Sequence, residues 1–195
     1  MPTVAILPVK SFGLGKRRMA DHLSDDARSG LGRALAERTA ALAVDAGLIP
    51  VLVAGDGEVA EWAIIHGFPV IPDPGEGLDG AAMAGARWAI EAASEWIVVH
   101  ADLPLLIAAE LSELNEALSG AGSVIAPSAD GGTSALGMSG PAAFSYGPGS
   151  FHRHLGSFPT ATIVARPGLL HDIDTFSDLE SARRHPRGSW LTDLT

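Results

Sequence analysis

The chain has no cysteine among its 195 residues, which excludes disulfides, thiolate nucleophiles and thiolate metal sites. It is also short of cations: 13 Lys and Arg stand against 23 Asp and Glu, a formal net charge of -10. No long Lys/Arg cluster occurs, and a duplex nucleic acid would need one to neutralise its phosphates, so that partner is disfavoured. No apolar run approaches the roughly 20 residues needed to span a bilayer, so no membrane association is expected. Met1-Pro2-Thr3 leads straight into a strand-like pattern, without a basic stretch, apolar block and cleavage site. No signal peptide is therefore expected, and a cytoplasmic location is the default. Three motifs are missing as well: the P-loop, the Gly-x-Gly-x-x-Gly dinucleotide fingerprint and the Gly-x-Ser-x-Gly hydrolase elbow.

What remains is a chain that is 47% hydrophobic, too apolar for disorder. Its length suits one domain, expected over residues 1–185, with residues 186–195 a loosely held C-terminal tail. Thr3–Val9, Ile49–Ala54, Val70-Ile71, Trp96–His100 and Val124–Ala126 read as short buried strands. Between them lie helices opening at Ser24-Asp25-Asp26, with Leu31, Leu35 and Leu42 on one face, and over Glu58–His66, Ala81–Ala93 and Ala108–Leu118. Asp73-Pro74-Gly75-Glu76-Gly77 reads as a loop. This alternation predicts an α/β fold: a mostly parallel, Rossmann-like sheet flanked by helices. The last third changes character. Gly131-Gly132-Thr133 opens a strand-like segment, Tyr146–Ser150 is a tight loop before a short helix, and Thr160–Val164 is another strand. Asp172-Ile173-Asp174-Thr175 then leads into a final helix. Trp62, Trp88 and Trp96 sit in apolar patterns and are expected in the core.

In open α/β sheets, ligands sit beyond the carboxyl ends of the strands, and three features fall there. The first is the loop from Lys10 to Arg18, where glycines and Lys10, Lys16 and Arg18 could hold a triphosphate. A solvated basic loop is the alternative. The second is Asp102, directly after a strand too apolar for the surface and followed by a turn at Pro104. A metal or ligand role and a helix cap both fit it. The third is Asp174, which could cap the last helix or join Asp102 around a cation, because two adjacent carboxylates repel without one. Mg²⁺ suits such hard oxygen ligands. His66, His152, His154, His171 and His185 lack metal-ligand spacing, and His152 and His154 face different ways in their helix. His100 reads as a packed strand residue.

Taken in order, the segments Leu7-Pro8-Val9-Lys10, Gly15-Lys16-Arg17-Arg18-Met19, Gly77-Leu78-Asp79 and His100-Ala101-Asp102-Leu103-Pro104 form a recognisable series. It continues through Asp130-Gly131-Gly132-Thr133, Tyr146-Gly147-Pro148-Gly149-Ser150-Phe151 and Asp172-Ile173-Asp174-Thr175. The series resembles the phosphoenolpyruvate / 2-phospho-L-lactate guanylyltransferases of coenzyme F-420 biosynthesis, from about residue 3 to residue 184. The resemblance implies the nucleotide-diphospho-sugar transferase type of fold, shared with molybdenum-cofactor nucleotidyltransferases. It implies transfer of GMP from GTP to a three-carbon phosphoacid with release of pyrophosphate. It assigns Asp102 and Asp174 to Mg²⁺, and Thr133, Gly147 and Ser150 to phosphoenolpyruvate. Lys10, Lys16, Arg18, Gly77, Leu78 and Asp79 fall to the nucleotide, with Lys16, Asp102 and Asp174 the catalytic set. The chain departs from the family pattern at Asp79 and Ser134, where asparagines are usual, and at Phe176-Ser177, where Pro-Glu is usual. The competing readings are a molybdenum-cofactor type of nucleotidyltransferase and a non-catalytic nucleotide-binding protein of the same fold.

Overall fold

The computed structural model describes residues 2–13 and 15–194. β1 (Val4–Val9), β2 (Ile49–Ala54), β3 (Val70–Pro72) and β4 (Trp96–Val99) run parallel in one sheet. Between them lie α1 (Asp25–Asp45), α2 (Gly57–Ile65) and α3 (Gly77–Glu91). Then follow α4 (Ala108–Ala121), β5 (Ser123–Pro127), β6 (Thr133–Met138), α5 (Ser150–Ser157), β7 (Thr162–Ile163), α6 (Pro167–Leu170) and α7 (Phe176–Arg184). The sheet order is β3-β2-β1-β4-β6-β5-β7. β6 lies antiparallel to both of its neighbours, with Val98 opposite Leu136 and Ile125 opposite Leu136. The mostly parallel α/β sheet read from the alternation is therefore present.

The sheet separates two apolar layers. Ala5, Leu7, Leu52, Ile97 and Val99 pack with residues of α1, α2 and α4, while Val4, Ile6, Val51, Val53, Trp96 and Val98 pack with α3. The alternation within each strand sends neighbouring side chains to opposite layers. α1 opens as its sequence suggests: the Ser24 hydroxyl accepts from Ala27 N, with Asp25 and Asp26 in the first turn. α3 lies so close to β1 that a Cβ at Gly85 would come within 2.3 Å of Ile6 Cγ2. Trp62 and Trp96 are buried, and Trp88 packs against the α3 layer.

Two expectations need correction. α3 begins at Gly77 and not at Ala81, so Gly77, read as the end of the loop, opens the helix, and Leu78 and Asp79 belong to its first turn. Glycine weakens a helical pattern, but Gly80 is required there, since a Cβ would fall 2.6 Å from Glu76 Cβ. The C-terminal segment is also not loosely held. Pro186–Asp193 forms a 3-10 stretch, Leu191 is buried, and Trp190 Nε1 donates to Pro104 O at 3.1 Å. Its few apolar residues were too sparse to show a period, yet each lands in a cluster with Leu31, Leu35 and Leu105. Among the described residues no helix is long and apolar enough to cross a membrane.

Candidate active site

β1 and β4 are adjacent and parallel, so the loops at their carboxyl ends meet. The loop after β1 swings back under a constraint from β2: a Cβ at Gly55 would lie 1.9 Å from Lys10 O. Lys16 adopts a left-handed backbone (φ 53, ψ 34) at the start of the 3-10 turn Arg17–Met19. That conformation costs a non-glycine residue about 1 kcal/mol and is held only where surrounding contacts fix it. Here it directs the ammonium onto the acids: Lys16 Nζ lies 2.6 Å from Asp102 Oδ2 and 3.8 Å from Asp174 Oδ1. Arg18, largely exposed, reaches Asp174 Oδ2 at 3.7 Å.

Asp102 and the α6–α7 connection are joined by backbone, with Ile173 N donating to Asp102 O at 3.1 Å. Asp172 arrives with Asp174, and oxygens of Asp102, Asp172 and Asp174 all lie within 4.8 Å of one another. Burial would push the Asp102 carboxyl up, but the Lys16 ammonium, assisted by His100, holds it below the usual carboxylate range. Asp172 moves the other way, raised by burial and then by the neighbouring charges of Asp102, Asp174 and Asp130. Asp102 Oδ1 is buried without a hydrogen-bond partner. Three hard oxygen donors with an unsatisfied oxygen among them fit a divalent cation.

The acids open onto a cavity of about 430 Å³. Lys10, Lys16, Leu78, Asp102 and Asp174 line it, and so do His100 and Asp172. Arg18 touches it through Asp174 alone. Gly77 and Asp79 stand behind Leu78, where Asp79 Oδ1 accepts from Tyr146 N at 2.7 Å. Asp79 thus ties α3 to the loop before α5. Ser134 is buried in the sheet and donates to Ala126 O and Pro127 O, away from the cavity.

Thr133, Gly147 and Ser150 form a second group and do not themselves line the cavity. Thr133 and Ser150 are each 1% exposed, and Ser150 Oγ lies 3.2 Å from Thr133 Oγ1. Gly147 and Gly149 have φ of 107 and 71, a left-handed turn that only glycine takes readily. His154, fully buried on α5, completes the group. Ser145 N donates to its Nε2 at 2.9 Å, so the ring proton sits on Nδ1 and is donated to Thr133 Oγ1 at 3.0 Å. Burial outweighs the pull of Asp79 and, with Arg153, holds the ring below its ordinary pKa and hence neutral. Three protons then face two hydroxyl oxygens, which leaves the Thr133–Ser150 pair with one hydroxyl proton to offer outward. The Ser150 N–H, although it opens α5, is not a free donor, because Gly147 O takes it at 3.0 Å.

The sequence had isolated Asp102, Asp174 and Lys16, and the fold brings them together. It had left Asp172 and His154 without a role. The spacing Asp172-x-Asp174 was a visible signal for the first; nothing local marks the second, whose partners are 9 and 21 residues away.

Residues 3–166 match the family described as "Guanylyl transferase CofC like". A phosphoenolpyruvate guanylyltransferase of Sphaerobacter thermophilus is 35% identical over 198 residues, covering 95% of this chain and 94% of the relative. A 2-phospho-L-lactate guanylyltransferase of Methanothermobacter thermautotrophicus is 35% identical over 199 residues, covering 97% and 87%. Among solved structures, a protein from Desulfovibrio desulfuricans G20 named as a nucleotide-diphospho-sugar transferase superposes with a TM-score of 0.77. That match covers 99% of this chain and 95% of the other at 15% identity, a likeness of fold. With the family match over most of its length and relatives 35% identical across nearly the whole chain, the chain belongs to the CofC-like guanylyl transferase family.

Proposed function

We propose that the protein transfers GMP from GTP to a three-carbon phosphoacid, phosphoenolpyruvate foremost, in the route to coenzyme F-420. The observation that carries this reading is the convergence of Lys16, Asp102, Asp172 and Asp174 on one cavity at the carboxyl ends of β1 and β4. Its volume of about 430 Å³ lies in the ordinary range for small-molecule sites. The relatives named for phosphoenolpyruvate and for 2-phospho-L-lactate support the same chemistry.

An oxygen of the acceptor phosphate attacks the α-phosphorus of GTP, the bond from that phosphorus to the bridging oxygen breaks, and pyrophosphate leaves. The acceptor phosphate is already anionic, so no general base is required. Positioning and charge neutralisation then carry the rate. Asp102 and Asp174, with Asp172 beside them, would hold Mg²⁺, which supplies charge neutralisation for the phosphates when bound. Lys10, Lys16 and Arg18 neutralise the departing pyrophosphate, and Gly77, Leu78 and Asp79 flank the nucleotide from the start of α3. Thr133, Gly147 and Ser150 form the acceptor side, where the spare hydroxyl proton meets an anionic oxygen.

Incubation with GTP, Mg²⁺ and, in turn, phosphoenolpyruvate, 2-phospho-L-lactate and 3-phosphoglycerate, with pyrophosphate measured, tests the reading. Release that depends on one of these acids is expected. No release with any of them would sink it.

A further inference from the structure

Three polar side-chain atoms near the site are buried without hydrogen-bond partners: Asp102 Oδ1, His100 Nε2 and Tyr146 Oη. Asp102 belongs to the acid cluster; the other two have no part in the chemistry so far. Their rings touch, with centroids 5.6 Å apart, and Tyr146 in turn meets His154 edge-on at 4.9 Å. His100 lines the nucleotide cavity, and Tyr146 heads the turn that carries Gly147. The two therefore bridge the acid cluster and the Thr133–Ser150 group.

Tyr146 is oriented against the usual preference. A tyrosine at a surface loop ordinarily buries its ring and leaves its hydroxyl in water. Here the residue is partly exposed, yet the hydroxyl is the buried end and lacks a partner. An orphaned buried donor is costly, and in a native fold it calls for a partner such as an ordered water, an ion or a ligand. The orientation is fixed by the backbone: Tyr146 N donates to Asp79, and Arg153 holds Tyr146 O and Ser145 O. Burial, with Asp79 nearby, pushes the hydroxyl well above its usual range, so it stays protonated and can only enter such a contact as a donor or neutral acceptor.

The backbone offers little in its place. The N–H groups of Ser145, Tyr146, Ser150 and Phe151 are all spent on internal acceptors. With those four N–H groups committed, side-chain donors beside the turn gain weight for a carboxylate or phosphate bound here. We propose that His100 Nε2 and Tyr146 Oη recognise an anionic oxygen of the acceptor acid, making them specificity-determining residues of the acceptor pocket. This rests on the transferase reading above. The acceptor lies between the acid cluster and the Thr133–Ser150 pair, its far oxygens held by the two rings and its attacking oxygen turned to the nucleotide.

The test uses Tyr146→Phe, which removes one oxygen and keeps the ring. Its melting temperature should equal or exceed that of the unmodified protein, because the oxygen lost had no partner. The KM for the acceptor should rise at least tenfold while the KM for GTP stays within twofold. His100→Leu should do the same, and His100→Gln, which restores a donor, should recover part of the loss. Tyr146 is the sole tyrosine of the chain, so ring-labelled tyrosine gives one assignable NMR signal. That signal should move on adding phosphoenolpyruvate and stay put on adding GTP alone. A lower melting temperature with an unchanged acceptor KM would overturn the proposal, as would equal rises in both KM values or a tyrosine signal indifferent to the acceptor. An unmodified protein that releases no pyrophosphate with any acid would overturn the transferase reading and this one with it; an active one with an unaffected Tyr146→Phe variant overturns this one alone.

Discussion

At the residue scale, Asp102 combines three properties: it sits in the turn just beyond the buried strand β4, it pairs with Lys16 at 2.6 Å, and one of its oxygens has no partner. Asp102→Asn keeps the shape and removes the charge, so a hundredfold or greater loss of turnover is expected, about 2.7 kcal/mol of barrier. Pyrophosphate release by a variant with an unchanged melting curve measures it, and near-normal turnover would remove Asp102 from the chemistry. Its place among the candidate ligands is legible in the sequence, because a carboxylate directly after Trp96-Ile97-Val98-Val99 falls at the carboxyl end of a buried strand, where ligands of open α/β sheets sit. His154 was not readable, since its value comes from contacts made by folding. Its ring is held neutral in the fold, with a pKa below the ordinary 6.5. Above that value both folded and unfolded chains carry a neutral ring and its hydrogen bonds stabilise fully. As pH falls below it, the unfolded chain takes up a proton first, and this stability drains away until the folded pKa is passed. Denaturant midpoints at pH 7.5 and 5.5 should therefore differ less for His154→Asn than for the unmodified protein. An identical pH dependence would show that the ring titrates freely.

At the element scale, the parallel strands and most helices followed from period and caps, while the elements that close the site did not. α3 starts earlier than its alanine-rich pattern suggests: Gly77 turns the chain into the helix with a positive φ, and Gly80 serves close packing in the first turn. β6 is antiparallel because a short connection from β5 can only reverse direction, and the sequence there shows a strand without its partner. The C-terminal 3-10 stretch is the clearest case. Buried Glu110 on α4 accepts from Gly168 N and from Arg187 Nη1 at 2.7 Å, and Arg38 lies 5.0 Å from the Trp190 ring. Removal of residues 186–195 strips Leu191 from the core, about 1.5–3 kcal/mol, and leaves the Glu110 charge with one partner fewer. A loss of at least about 3 kcal/mol in chemical denaturation is expected. A truncated chain that unfolds at the same midpoint would return this segment to the status of a loose tail.

At the scale of the whole molecule, the acid cluster joins two distant stretches of chain. Asp102 follows β4 at the centre of the sheet, whereas Asp172 and Asp174 lie in the connection between α6 and α7, after the last strand of the chain. The Ile173–Asp102 backbone hydrogen bond and Lys16, which reaches both Asp102 and Asp174, tie the two stretches together. The opposite pKa directions of Asp102 and Asp172 express the repulsion that remains once Lys16 has served as the local cation. A divalent ion held by all three oxygens would relieve that repulsion and cross-link the two stretches in the folded state alone. Binding restricted to the folded state adds about 2.7 kcal/mol at a ligand concentration near 100 times Kd. The melting temperature should thus rise with Mg²⁺ in the absence of any nucleotide, and Asp174→Asn should blunt the rise. Because Lys16 competes for the same carboxylates, Lys16→Ala should melt lower without the ion and gain more from it. A melting temperature indifferent to Mg²⁺ in both the unmodified protein and Lys16→Ala would mean that the three acids hold no ion by themselves, leaving the phosphates of the nucleotide to bring it.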